Sequence, residues 1–245
     1  MTFRRPLIVD WGIGGLGTVK HLPQDVAFHY LSDAGFTPYG KTPTKKLQDR
    51  LVKIAAFAES EWGCDAVVVA CNAASSVLPG AQIDLQVFDV ISAGVRVLKK
   101  LSFDKIGVIG GIRTIETNAY GHALPNANFV QVVAQPLSAL VERGVLEGQL
   151  VRDALAPIVE ELGEIDALLL ACTHYPALLP VLKEVLPGVT MLDPAKELSS
   201  MLVHDAWSQG PRRFFTTGDD EQMRVSAKLA FGLEVPKPES LPNSL

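Results

Sequence analysis

An internal repeat constrains this chain more than any other feature. Cys64-Asp-Ala-Val-Val-Val-Ala-Cys71 aligns with Ile165-Asp-Ala-Leu-Leu-Leu-Ala-Cys172 at an offset of 101 residues (172 − 71). The same offset sets Leu7-Ile8 on Val108-Ile109, Phe28 on Phe129, and Leu78-Pro79 on Leu179-Pro180. A repeat this long implies two similar half-molecules rather than a solenoid, whose units are shorter. Each half then supplies one cysteine just past an apolar run of strand type. In open α/β sheets, ligands sit outside the carboxyl ends of the strands. Two such halves face to face place Cys71 and Cys172 on opposite walls of one cleft.

Short β-type runs alternate with longer helical patterns along the chain. Strands are expected over residues 6–10, 26–31, 65–70, 87–90, 105–110, 128–132, 166–171, 189–192 and 212–216. Helices are expected over 44–62, 93–101, 114–124, 150–162, 195–207 and 221–231. Continuous Val and Leu runs, such as Val67-Val68-Val69 and Leu168-Leu169-Leu170, suit strands buried on both faces. The alternation argues for an α/β fold with mainly parallel sheets. The expected division is residues 1–92 plus 209–245 as one α/β domain and 93–208 as the other. The tail from Glu234 carries three prolines and little apolar content, so it is expected to lie on the surface or fray.

Composition excludes several functions. With 245 residues, 48% apolar and 20% charged, the chain can bury an ordinary core. A net charge of −5 argues against a nucleic-acid surface, which needs clustered positive charge. The apolar stretch after Arg4 and Arg5 ends at Asp10, too early for a signal-peptide core. No apolar run approaches the roughly 20 residues that a membrane-spanning helix needs. The three cysteines include no CxxC pair, so neither a disulfide framework nor a thiolate zinc site is expected. Free thiols and a cytoplasmic location follow.

Free cysteines usually just pack, and Cys64, before its strand and without polar neighbours, fits that role. Cys71 and Cys172 differ, because they hold equivalent places in a repeat and each precedes polar residues. Two opposed thiols suit racemisation at an amino-acid α-carbon. One base cannot reach both faces of a fixed substrate, so one group removes the proton and another returns it. A thiol titrates at about 8.5 unperturbed and proteins readily lower this, so both protonation states are accessible near neutrality. Asp10, ending the first strand, is expected to point into the cleft near Cys71. His174, two residues past Cys172, can serve the other wall. Asn72 and Thr173 each follow a cysteine, and their side chains and backbone N–H groups can hold a substrate carboxylate.

At these residues the chain resembles the aspartate/glutamate racemase family, glutamate racemases in particular, from about Leu7 to Gly232. Val9-Asp10-Trp11-Gly12-Ile-Gly14-Gly15-Leu16 resembles the family's opening Asp-Ser-Gly-x-Gly-Gly loop. Pro38-Tyr39-Gly40 resembles its substrate-side loop, and Ala70-Cys71-Asn72-Ala73-Ala74-Ser75 its Cys-Asn-Thr-Ala-Ser motif. Leu140-Val141-Glu142 resembles a segment whose glutamate lies near the catalytic histidine. Ala171-Cys172-Thr173-His174-Tyr175-Pro176 resembles the second catalytic motif, and Phe215-Thr216-Thr217-Gly218-Asp219 the closing strand. The resemblance implies two α/β domains related by pseudo-twofold symmetry, with the active site between them. It implies Cys71, Cys172, Asp10, His174 and Glu142 as catalytic residues. It implies Trp11, Pro38, Tyr39, Gly40, Asn72, Ala73 and Thr173 around the substrate. No cofactor or metal is implied, a homodimer is common, and the family reaction supplies D-glutamate for peptidoglycan. Two positions depart from the family. Trp11 stands for serine and Ala73 for threonine, removing two hydroxyls that would bind the substrate's ammonium and carboxylate groups. Trp11 also adds bulk, and its indole N–H donates without accepting.

Two other readings compete. Gly12-Ile-Gly14-Gly15-Leu-Gly17 satisfies GxGxxG after a strand and before a helix, with Asp33 placed as a ribose-binding acid would be. Against dinucleotide binding, Asp10 sets negative charge beside a pyrophosphate and Trp11 crowds it. Trp11 and Ala73 also raise a catalytically weak relative that binds an amino acid, a dicarboxylic acid or a protein partner without turnover.

Overall fold

The computed structural model describes residues 5–203 and 209–245. In chain order the strands are β1 (Pro6–Asp10), β2 (Phe28–Ser32), β3 (Ala66–Val69), β4 (Gln86–Asp89), β5 (Ile106–Gly110), β6 (Phe129–Val133), β7 (Ala167–Ala171), β8 (Thr190–Leu192), β9 (Arg212–Thr216) and β10 (Glu239–Ser240). The helices are α1 (Leu16–Lys20), α2 (Thr44–Trp62), α3 (Asn72–Ser75), α4 (Val90–Lys99), α5 (Ile112–Glu116), α6 (Ala119–Ala123), α7 (Gln135–Glu142), α8 (Gln149–Leu162), α9 (Leu179–Val185), α10 (Pro194–Val203) and α11 (Asp220–Phe231). Among the described residues no helix is long and apolar enough to cross a membrane.

The strands form two parallel sheets, ordered β10-β9-β2-β1-β3-β4 and β6-β5-β7-β8. The shared order β2-β1-β3-β4 and β6-β5-β7-β8 is the repeat made visible. Adding 101 to β2 gives residues 129–133, which is β6, and adding it to β3 gives 167–170, within β7. Strands β3 and β7 are buried along their whole length, as expected of strands covered on both faces. Helices α4 and α10, also related by the offset, pack against each other where the halves meet. There Glu197 of α10 pairs with Arg96 of α4 and with Lys100 just past its end, at 3.1 and 2.7 Å.

Two expectations need correction. The helix expected over 114–124 is broken into α5 and α6 by Asn118, whose φ is +48°. Asparagine tolerates this left-handed geometry, and its side-chain oxygen accepts from Gln131 Nε2. Helix α4 begins at Val90, earlier than expected, because Asp89 caps it by accepting from Ser92 N at 2.9 Å. The tail lies mostly on the surface, as expected, and is tied down there. Its β10 pairs with β9, and Leu241 N donates to Thr216 O at 2.8 Å. Arg50, buried beneath it, is ion-paired with buried Asp33 at 2.5 Å and donates to the carbonyls of Asn243 and Leu245. A buried guanidinium needs acceptors, and the tail's backbone provides them. Positions 204–207 of the helix expected over 195–207 lie outside the described residues.

Candidate active site

The site assembles at the carboxyl ends of three strands. Asp10 is the last residue of β1, Cys71 follows β3, and Cys172 follows β7 directly. Helix α7 ends with Glu142, and the turn after β7 carries His174. Asp10, Trp11, Pro38, Tyr39, Gly40, Cys71, Asn72, Ala73, Glu142, Cys172, Thr173 and His174 all border one cavity of about 330 Å³. Its remaining wall includes Lys41, which the sequence places on the rim of the Pro38-Tyr39-Gly40 loop, and residues 111–114, Gln135, Ser138 and Ala139, which the sequence did not single out. The repeat held a signal for two of them, since the offset carries Asp10 onto Gly111 and Pro38 onto Ala139.

The two thiols have different company. Cys71 is buried, at 8% exposure, whereas Cys172 is half-buried. Burial pushes the Cys71 thiol well above its ordinary range, and the Asp10 charge adds to this. A charge on Cys172 pushes it in the same direction, so the sulfurs lie within electrostatic reach of each other. Asp10 is 1% exposed. Burial raises its carboxyl, against the lowering effects of the His174 charge and of hydrogen bonds from Thr173, Cys71 and Trp11 N. Those from Thr173 Oγ1 and Trp11 N measure 2.8 and 2.6 Å.

On the other wall, Cys172 Sγ lies 3.7 Å from His174 Nδ1, and His174 Nε2 lies 2.5 Å from Glu142 Oε1. Burial opposes charge on His174, but the hydrogen bonds and charges of Cys172 and Glu142 outweigh it and raise the imidazole well above its usual value. Burial likewise opposes charge on Glu142, and its bond to His174 outweighs that and lowers the carboxyl. Both shifts favour an imidazolium–carboxylate pair, in which the second ring nitrogen, Nδ1, faces the Cys172 sulfur.

The glycine-rich loop has a steric explanation that involves no nucleotide. A Cβ on Gly14 would lie 2.2 Å from Thr173 Oγ1, and one on Gly12 would lie 2.2 Å from Glu142 Oε1. These glycines admit side chains from the opposite half. Asp33 is fully buried and spent on Arg50, Tyr39 Oη and Thr217 Oγ1, so it cannot meet a ribose.

Other side chains are committed more than the sequence suggested. Tyr39 Oη donates to Asp33 Oδ2 at 2.8 Å, so the ring is anchored in the core. Thr173 gives its hydroxyl proton to Asp10. Asn72 Oδ1 accepts from Tyr120 Oη at 2.9 Å, while its buried Nδ2 has no partner among the described residues. Trp11 lines the cavity without filling it, because its Nε1 donates to Phe36 O at 2.9 Å. Cys64 is in the core beside His29, its thiol pushed up to about 12 by burial. Among the described residues no group of three or more His, Cys, Asp or Glu is arranged to hold a metal ion.

A family profile described as Asp/Glu/Hydantoin racemase matches residues 18–202. The chain belongs to this family. Glutamate racemase of Aquifex pyrophilus is 35% identical over 242 residues, covering 94% of each chain. That of Shouchella clausii (strain KSM-K16) is 34% identical over 249 residues, covering 91% of this chain and 89% of the relative. The crystal structure of glutamate racemase from Thermus thermophilus in complex with β-chloro-D-alanine superposes with a TM-score of 0.86. It is 30% identical and covers 98% of this chain and 97% of that one. Glutamate racemase from Francisella tularensis in complex with D-glutamate gives 0.84 at 26% identity, covering 98% of each. The chain is thus an amino-acid racemase homologous to the glutamate racemases, with the α/β fold of that family.

Proposed function

We propose that this racemase inverts the α-carbon of an amino acid, glutamate first among candidates, by proton transfer between Cys71 and Cys172. The observation that carries the reading is the arrangement of the thiols: both border one small cavity, one backed by Asp10 and the other by the His174–Glu142 pair. The bound D-glutamate of the Francisella relative supports glutamate as substrate.

Burial and Asp10 keep Cys71 as a thiol, so Cys71 is the resting acid. In this mechanism Cys172 takes the base role, with His174 Nδ1 3.7 Å from its sulfur. In one direction the Cys172 thiolate takes the α-proton and becomes a thiol. The carbanion electron pair delocalises into the substrate carboxylate, and Cys71 returns a proton to the opposite face, becoming a thiolate. In the other direction the roles exchange, and Asp10 is placed to accept from Cys71. Asn72 Nδ2, buried and without a partner among the described residues, is a donor suited to the substrate carboxylate.

The test is α-proton exchange in deuterated water across both enantiomers of the common amino acids. Glutamate is expected to exchange, and Cys71→Ser and Cys172→Ser are each expected to abolish racemisation, because a hydroxyl is a far poorer acid or base near neutrality. Full activity in either variant removes the two-base mechanism. A protein that binds amino acids without turnover exchanges none of them.

A further inference from the structure

The segment from Phe36 to Thr44 forms one lip of the cavity, and side chains from outside it hold its backbone. Its internal turn uses Pro38 O, which accepts from Lys41 N and Thr42 N at 2.8 and 3.1 Å. Below, Tyr39 Oη is anchored on Asp33. Trp11, from the same half, holds Phe36 O. The carbonyls of Tyr39 and Thr42 are taken by a side chain from the other half. Arg113 Nε donates to Tyr39 O at 3.0 Å, Nη1 to Thr44 Oγ1 at 3.1 Å, and Nη2 to Thr42 O. Each guanidinium nitrogen thus has its own oxygen on the loop or on the first residue of α2. A planar, permanently charged fork suits three divergent acceptors, which a lysine ammonium cannot match.

Arg113 sits on α5, just past the carboxyl end of β5, and lines the cavity itself. Gln135, from α7, steadies this wall by accepting from Ile112 N at 3.2 Å. We propose that Arg113 is a positioning residue, the clasp by which the second half holds the Pro38-Tyr39-Gly40 loop over the substrate. The clasp rests on the reading of this cavity as the racemase site. These three hydrogen bonds fix the loop against the second half, and a bound substrate is retained by the same bonds.

The experiment pairs kinetics with amide exchange on Arg113→Ala and Arg113→Lys. Losing the clasp is expected to raise KM about tenfold, the equivalent of roughly 1.4 kcal/mol, with a smaller change in kcat. The Lys41 and Thr42 amides of the substrate-free protein are expected to exchange faster in the alanine variant. Arg113→Lys, which can remake one bond of the three, is expected to fall between wild type and alanine on both measures. Unchanged loop exchange in Arg113→Ala overturns the clasp. So does a rise in KM for an acidic amino acid that is absent for its amide, because the guanidinium would then be contacting the substrate side chain. Amide exchange needs no turnover. A wild-type protein without α-proton exchange therefore sinks the racemase reading while leaving the loop measurement to judge the clasp.

Discussion

Replacing Glu142 with glutamine isolates the charge behind Cys172. Glutamine keeps the shape and an acceptor for His174 Nε2–H, so only the charge is lost. The bond is 2.5 Å long, and the side chains are 7% and 25% exposed, so solvent screens it little. A hydrogen bond between charged partners contributes about 1.5–3 kcal/mol and a neutral one about 0.5–1.5, so the loss is about 1–2 kcal/mol. For a chain of this size that lowers Tm by roughly 2–8 °C. The sign with pH follows from both partners. Glu142 is lowered from an ordinary 4.5, so its stabilisation is present above that value and lost as pH falls through the folded one. His174 is raised from an ordinary 6.5, so its stabilisation is present below that value and lost as pH climbs through the folded one. The two overlap between 4.5 and 6.5, where the gap between wild type and variant is widest. Thermal melts at pH about 5.5 and about 9 measure it. In the variant the imidazole is also expected to lose its proton at lower pH, and if His174 acts in the proposed proton transfer the matching limb of the pH–rate profile moves the same way. A gap that is flat with pH, or grows toward alkaline pH, refutes the ion pair.

Two further outcomes are expected. Gly14→Ala puts a Cβ against Thr173 Oγ1 and breaks its bond to Asp10, so kcat should fall by about tenfold or more with the fold retained; wild-type turnover with an intact melt shows that the loop yields. Trp11→Ser combined with Ala73→Thr restores the two hydroxyls of the family pattern and is expected to raise glutamate turnover; steady-state rates that stay flat or fall show that these positions do not set specificity.

Much of the fold was legible in the residues. The Val and Leu runs fixed β3 and β7 because strands covered on both faces need apolar side chains throughout. The offset of 101 anticipated two sheets of matching strand order and put a cysteine at the end of an equivalent strand in each. The motifs at Cys71 and Cys172 carried the family. Other features depended on partners distant in sequence. Nothing local tells that Arg50 will be buried and will bind the tail, since acceptor and donor are 195 positions apart. Nor does Asn118 announce its break in the helix, which a side chain 13 residues away helps to hold. The glycines at 12 and 14 also matched a phosphate-loop pattern, with only Asp10 and Trp11 arguing against it, and the role of the loop became plain when Glu142 and Thr173 from the other half occupied their space. Arg113 carries no motif at all. Periodicity and strand-end position are local properties of a polymer, so the chain displays them unfolded. Burial, ion pairing and the charge state of a thiol depend on which groups meet in space, and only the packed halves decide that.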